Sequence, residues 1–182
     1  MMPARARSSD EDLVLAFQAG DDDAFAELYG RWRPRVTAYA SRMLGGGPEV
    51  EELVTDAFVT LVEGRFEPSG SFRSYLFTVV QRKCLDHLRR QGTRGRVLPL
   101  LQPEAVTPDP EAVLDALRDR DRVEAALDAL PPEHRSLLLM YYAHGLSSRE
   151  VGEATGLTDQ QVRSKLSYAR KTLRTLLDPE GR

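Results

Sequence analysis

Apolar residues recur along this chain at intervals of three and four, and the strict alternation of a half-buried strand appears nowhere. After Ser9-Asp10-Glu11-Asp12, the set Leu13, Ala16 and Phe17 marks one face of a first helix. Gly20-Asp21-Asp22-Asp23 breaks it, with an Asp placed to cap the next helix, which carries Phe25, Leu28 and Tyr29. A third segment runs from about Pro34 through Val36, Tyr39, Ala40, Met43 and Leu44, and stops at Gly45-Gly46-Gly47-Pro48. Residues 49–62 form the next helix, with Leu53, Val54, Ala57, Phe58, Leu61 and Val62 as its inner stripe. A loop over 64–70 leads to a long helix from Ser71 to about Gln91, apolar through Leu76, Val79, Val80, Cys84 and Leu88 and basic near its end.

Residues 92–110 change character. Gly92, Gly95, Pro99, Pro103, Pro108 and Pro110 interrupt any period, and so long an irregular stretch separates domains rather than sitting inside one. A second helical unit follows, with one helix over 111–130 and another starting at Pro131-Pro132, where a first-turn proline is well tolerated. Leu137, Leu138, Leu139, Met140, Tyr141 and Tyr142 pack that helix. The expected fold is all-α: two small helical domains, 1–91 and 111–182, joined by a Pro/Gly-rich linker over 92–110.

The most informative stretch is the last helical hairpin, 145–174. Ser147 stands three residues before Glu150 and Thr158 three before Gln161, so each pair can form a capping box. Thr155-Gly156-Leu157 places a glycine where one helix must end and a tight turn begin. Val151, Leu157, Val162 and Leu166 supply the contacts that hold two short helices at a steep angle, a helix-turn-helix pattern. The second helix presents Gln160, Gln161, Arg163, Ser164, Lys165, Ser167, Arg170, Lys171 and Arg174 outward. Glutamine can pair bidentately with adenine and arginine with guanine, while the remaining cations suit phosphates. A solvated basic face is the plainer reading of such a run; the two caps and the turn glycine tip it towards DNA.

Charge sharpens this picture through its distribution. The net charge of −3 is unusual for a DNA binder, but it is segregated. Residues 10–27 hold seven acids and no base, residues 49–63 hold five acids and no base, and residues 82–96 hold six Lys or Arg against Asp86. Acidic parts can therefore meet a basic protein while basic parts meet nucleic acid. No apolar run is long enough to span a membrane, and the start lacks an apolar signal core, which points to the cytoplasm. The single cysteine, Cys84, has no partner for an internal disulfide. His87, His134 and His144 lie on separate segments without ligand spacing and read as surface or capping residues, and no phosphate loop, nucleophile elbow or carboxylate pair appears. No catalysis, metal or cofactor is expected.

Four stretches carry a resemblance: EELVTDAFVTLVEGRF (51–66), SFRSYLFTVVQRKCLDHLRRQ (71–91), ALPPEHRSLLLMYYAHGLSSREVGEATGL (129–157) and VRSKLSYARKTLRTLL (162–177). In this order, with the linker between, the chain resembles the extracytoplasmic-function class of bacterial sigma factors over nearly its whole length. The resemblance implies a transcription initiation factor with core RNA polymerase, promoter DNA and an anti-sigma factor as partners. It implies polymerase docking through Glu52, Leu53, Thr55, Asp56 and Val59. It assigns the minus-ten element to Phe66, Phe72, Tyr75 and Phe77, which can stack on or wedge unpaired bases, and to Arg73, Arg82, Lys83, Arg89 and Arg90 along the backbone. The plainer reading of most of these aromatics is core. The minus-thirty-five element falls to the outward face of the hairpin, with Arg163, Ser164 and Ser167 nearest the family's contact positions.

The chain departs from the family at several points. Thr55 stands for a usual Gln and Asp56 for a Glu; Tyr75 stands for a Trp, Arg82 for an Asn, and Tyr168 for an Arg. Arg82 can meet promoter DNA or pair with Asp86 four residues on. The competing function class is a stand-alone helix-turn-helix regulator that acts without polymerase.

Overall fold

The computed structural model of the chain describes residues 8–63, 71–92 and 120–177, the last with side chains from 123 onward. The described residues form eight α-helices and one π-helical turn, with no strand among them. The first, α1 (Asp10–Gln18), is closed by a reciprocal cap: Ser9 Oγ accepts from the Asp12 N–H, and the Asp12 carboxylate accepts from the Ser9 N–H.

The helix α2 (Asp22–Leu44) corrects the expected boundary at Pro34, because it runs unbroken through that residue. The proline ring removes one N–H and crowds the carbonyl of Gly30, at a cost of about 3 kcal/mol. Leu28, Trp32, Val36, Tyr39, Ala40 and Met43 nevertheless form one buried stripe on both sides of it. Each large member contributes roughly 1.5–3 kcal/mol by burial, so continuity wins. Asp21 caps the start as the sequence suggests, and Gly45 ends the helix at φ +77°, a left-handed conformation that favours glycine.

The helix α3 (Glu49–Glu63) buries Val50, Leu53, Val54, Ala57, Phe58 and Leu61. Val62, expected on this stripe, is 48% exposed. Eight residues beyond Val54 is a rotation of about 80° from it, enough to leave the inner face. The helix α4 (Phe72–Gly92) packs across α2 and α3. Its first free N–H, on Phe72, donates to the Glu11 carboxylate of α1 at 3.0 Å. Trp32 meets Phe72 and Phe77 edge-on, with ring centroids 6.1 and 6.4 Å apart.

The second half comprises α5 (Arg120–Asp128), α6 (Pro132–Leu138), the π turn Leu139–Ala143, α7 (Ser148–Thr155) and α8 (Asp159–Leu177). Leu137, Leu138, Leu139 and Met140 are buried as expected, whereas Tyr141 is 37% exposed. The expected loop over 64–70, the linker beyond Gly92 and the start of the helix expected from 111 lie outside the described residues.

The linker composition suggests two separate domains, yet the described halves pack directly on each other. Helix α4 lies against α7, and both α2 and α4 touch α6. The Tyr39 hydroxyl and the Gln81 amide both meet Ser136 Oγ, at 2.8 and 3.0 Å, and all three residues are buried. Arg135, also buried, donates to the Met43 carbonyl at the end of α2 and is paired with Asp128 at 2.9 Å. His144, expected as a surface or capping residue, instead places its ring 5.8 Å from that of Tyr39 and 5.3 Å from that of Phe77. Burial, with the nearby Arg42, Arg73 and Arg35, pushes its pKa down to about 4.

Candidate nucleic-acid interface

The helix-turn-helix is built by its caps. Ser147 and Glu150 satisfy each other's backbone donors, with the Ser147 N–H donating to the Glu150 carboxylate at 2.8 Å and the Glu150 N–H donating to Ser147 Oγ at 3.2 Å. Gly156 follows α7 at φ +74°, and Leu157 N–H closes the turn on the Gly152 carbonyl. Thr158 and Gln161 form the second box at 2.9 and 3.2 Å. In α8 the stripe Val162, Leu166, Ala169 and Leu173 is buried, at helical spacing.

The opposite face of α8 is open. Gln160, Gln161, Arg163, Ser164 and Lys165 are exposed, while Ser167, Arg170 and Lys171 are half-buried towards the helix's second half. Two of these side chains are already engaged. The Gln161 carbonyl oxygen accepts from the Thr158 N–H, leaving its NH2 to point outward. Arg170 donates to the Tyr142 hydroxyl at 3.0 Å, which turns it from the expected outward set towards the packed side of the domain. Tyr168, at the position of a common family arginine, packs its ring edge-on against His134 at 5.0 Å.

Residues the sequence reading passed over shape this face. Asp159 accepts from Ser148 Oγ with one carboxylate oxygen and holds Arg163 at 2.9 Å with the other. The i, i+4 spacing of Asp159 and Arg163 was the available signal. Arg163 therefore leaves the helix from a fixed position, with 72% of its side chain exposed. Gly152 lies where a Cβ would sit 2.6 Å from the Leu157 carbonyl oxygen, so only glycine lets the turn close. A lone glycine inside a helical pattern marks that kind of approach. Arg149, on α7, is 86% exposed and paired with Glu153.

The candidates on α4 are scattered by comparison. Phe72 and Phe77 are core rather than DNA-facing, at 0% and 1% exposure, because α2 covers that side of the helix. Arg73 is half-buried, donates to the His144 carbonyl and lies 3.8 Å from Glu150. Tyr75 is half-buried, and Arg82, Arg89 and Arg90 are exposed. Arg82 does not pair with Asp86; Arg89 takes that partner at 3.2 Å and also reaches Glu133. Phe66 lies outside the described residues.

The candidate docking residues lie on α3. Glu52, Thr55, Asp56 and Val59 are exposed, with Val62 beside them. Leu53 is the exception, buried to 8% exposure because it belongs to the inner stripe; it only floors the groove between α3 and α4. That groove, about 290 Å³, has Glu49, Glu52 and Asp56 on one wall and Lys83, His87 and Arg90 on the other. Asp56 and Lys83 bridge it at 3.6 Å. Cys84, also on α4, is buried, its thiol pushed up to about 12, and so is unreactive at neutral pH.

Among the described residues no cluster of His, Cys, Asp or Glu is arranged to hold a metal ion, and no helix is long and apolar enough to cross a membrane.

Comparison with known proteins adds an independent observation. A family model described as Sigma-70 region 2 matches residues 28–94, and one described as Sigma-70, region 4 matches residues 120–173. The chain is 32% identical to the ECF RNA polymerase sigma factor SigE of Mycolicibacterium smegmatis, over 93% of this chain and 69% of that protein. It is 30% identical to the RNA polymerase sigma factor CarQ of Myxococcus xanthus, over 88% of this chain and 93% of that one. Among solved structures, CnrH in complex with the cytosolic domain of CnrY superimposes with a TM-score of 0.69 at 26% identity, covering 96% of this chain and 100% of that one.

Proposed function

The chain belongs to the extracytoplasmic-function class of the sigma-70 family, and from that premise we infer that it is a transcription initiation factor. It binds core RNA polymerase and directs it to promoters carrying minus-ten and minus-thirty-five elements. One observation carries the assignment of surfaces. A helix stretch with five bases and no acid from Arg163 to Arg174, of which Arg163, Lys165 and Arg174 are exposed, shares the chain with an acid-only helix, α3, that exposes Val59 and Val62.

We assign residues 1–91 to docking and the minus-ten element, 92–110 to a linker, and 111–182 to the minus-thirty-five element. On α8, Gln160, Arg163, Ser164 and Lys165 are the exposed residues for base edges, Arg163 on leaving Asp159, while Lys171 suits phosphate. On α4, Arg82, Arg89 and Arg90 are the exposed cations for promoter backbone, and Arg73 must first leave the second half. On α3, Glu52, Asp56 and Val59 form the polymerase-facing surface, with Thr55 between them. An anti-sigma factor is the expected inhibitor. The protein works in the cytoplasm and performs no chemistry of its own; polymerase supplies the catalysis.

Glu52→Lys with Asp56→Lys tests the docking surface. Both side chains are exposed, so the double variant should keep wild-type helicity and melting. It should lose core polymerase in co-purification by an order of magnitude or more, because two attractive contacts become repulsive. Undiminished retention by the folded variant would remove α3 from the interface, and failure of the wild type to bind core polymerase would sink the initiation-factor reading itself.

A further inference from the structure

Asp159 is the first residue of α8 and is exposed, as are Gln160 and Arg163 on the same helix. One of its carboxylate oxygens accepts from Ser148 Oγ on α7, and the other lies 2.9 Å from Arg163 Nε. An acid in the first turn suits the helix dipole, and an exposed pair one turn apart adds little to stability. Neither role needs the tie to Ser148, which fixes the carboxylate from a second helix. That tie decides where the acid stands once Arg163 moves.

In a helix-turn-helix, the N-terminal residues of the second helix reach base edges in the major groove. A carboxylate there is repelled by phosphates and offers acceptors only. Its best match on a base edge is the N4 amino group of cytosine, whereas Arg163 offers donors only and suits guanine. Without DNA the two side chains satisfy each other. When Arg163 swings onto guanine, one Asp159 oxygen is vacated while Ser148 still holds the other, so the carboxylate keeps its place with an acceptor to fill. One helical turn, about 5–6 Å of rise, separates the two positions, against about 3.4 Å for a base-pair step, so they address different pairs. A wrong base at either pair leaves a desolvated charge without a partner, and that penalty selects rather than merely attracts.

We propose that Asp159 is a specificity-determining residue of the upstream contact, accepting from the N4 amino group of a cytosine while Arg163 meets a guanine at a nearby base pair. The proposal rests on the assignment of α8 to the minus-thirty-five element. Ser148 is then a positioning residue, which holds the carboxylate in register without touching DNA. The ion pair between Asp159 and Arg163 is the resting arrangement, in which neither charge is left bare.

Holoenzyme assembled from core polymerase and the full chain, bound to promoters randomised across the upstream element, gives the base preference at each position. Asp159→Ala should lower the preference for cytosine at one position about fivefold to fiftyfold. Asp159→Asn should shift that same position from cytosine towards adenine, because an amide pairs with adenine, and a purely structural role would give no such switch. Arg163→Ala should lose guanine at a different position, and Ser148→Ala should lower the cytosine preference part-way. Asp159 is exposed, so both of its variants should keep wild-type helicity and melting. A profile unchanged by both Asp159 variants, in a holoenzyme that still selects bases there, would overturn the proposal alone. So would an equal loss on every sequence, or a loss confined to the position that Arg163→Ala affects. A wild-type chain that forms no holoenzyme would overturn the initiation-factor reading and the proposal with it.

Discussion

Helices α4 and α8 are of similar length, 21 and 19 residues, and both are rich in arginine and lysine, yet their candidate residues meet different surroundings. On α8 the apolar stripe Val162, Leu166, Ala169, Leu173 faces the rest of the domain, so the first half of its other side is left to solvent. Helix α4 is wrapped by α2, α3 and α7 and touches α1 and α6 as well. Its residues are therefore divided among core (Phe72, Phe77), inter-half contact (Arg73, Gln81) and solvent (Arg82, Arg90). A basic helix seen in sequence exposes its charges only where it has few neighbours, and neighbours are a tertiary fact.

The most forceful way to break this comparison is Phe72→Ala. If the ring is core, its loss should cost about 3–5 kcal/mol in urea unfolding. Arg163→Ala, on the open face of α8, should leave stability within about 0.5 kcal/mol. A Phe72→Ala protein as stable as the wild type would return Phe72 to the promoter-contacting set and make the two helices alike.

A smaller effect sharpens the comparison within α8 itself. Arg163→Ala should weaken recognition of the upstream promoter element by about 1–3 kcal/mol, as expected for a bidentate base contact. Arg170→Ala should change sequence preference little, since its guanidinium is turned to Tyr142. Holoenzyme footprints on a promoter library randomised at that element separate the two. Equal losses of specificity would mean that Arg170 swings outward on DNA.

The smallest effect concerns pH and the covered side of α4. His144 is held neutral by burial, and Arg35 and Arg42 from α2 and Arg73 from α4 disfavour its charged form further. Tyr39 and Phe77 flank the ring, and Glu150 of α7 is paired with Arg73 rather than with the imidazole. The folded state therefore binds fewer protons than the unfolded one. The contribution of His144 is whole above about pH 6.5 and fades as pH falls towards 4. Between pH 7.5 and 5.5 the folded-to-unfolded ratio should drop on the order of a few-fold to tenfold in urea unfolding. His144→Ala should flatten that dependence, whereas an unchanged slope would place the titrating group elsewhere.

Much of this was legible in the chain because it is local. Capping boxes at Ser147 and Thr158, the αL glycine at 156 and the stripe on α8 are interactions between residues three or four apart, and the structure has each of them. The same held for the capping Asp at the start of the second helix, Asp21. The reading failed where a local rule met a distant partner. Pro34 signals a boundary by its own chemistry, but the buried stripe from Leu28 to Met43 overrode it. His144 reads as a surface or capping residue, but Tyr39 and Phe77, far away in the chain, flank its ring.

Local pattern alone was enough to specify that the described halves are helical, that the second holds a helix-turn-helix with basic residues on its outer helix, and that acids and bases are segregated along the chain. Each of those follows from spacing, caps and composition, which are written in neighbouring residues. Packing settled which aromatics are core, which arginines are spent on carbonyls and carboxylates, and that Ser136 meets Tyr39 and Gln81, 97 and 55 positions away. A hydroxyl, an amide and an imidazole carry no periodic signal. Their pairing exists only once two helical halves have been brought face to face.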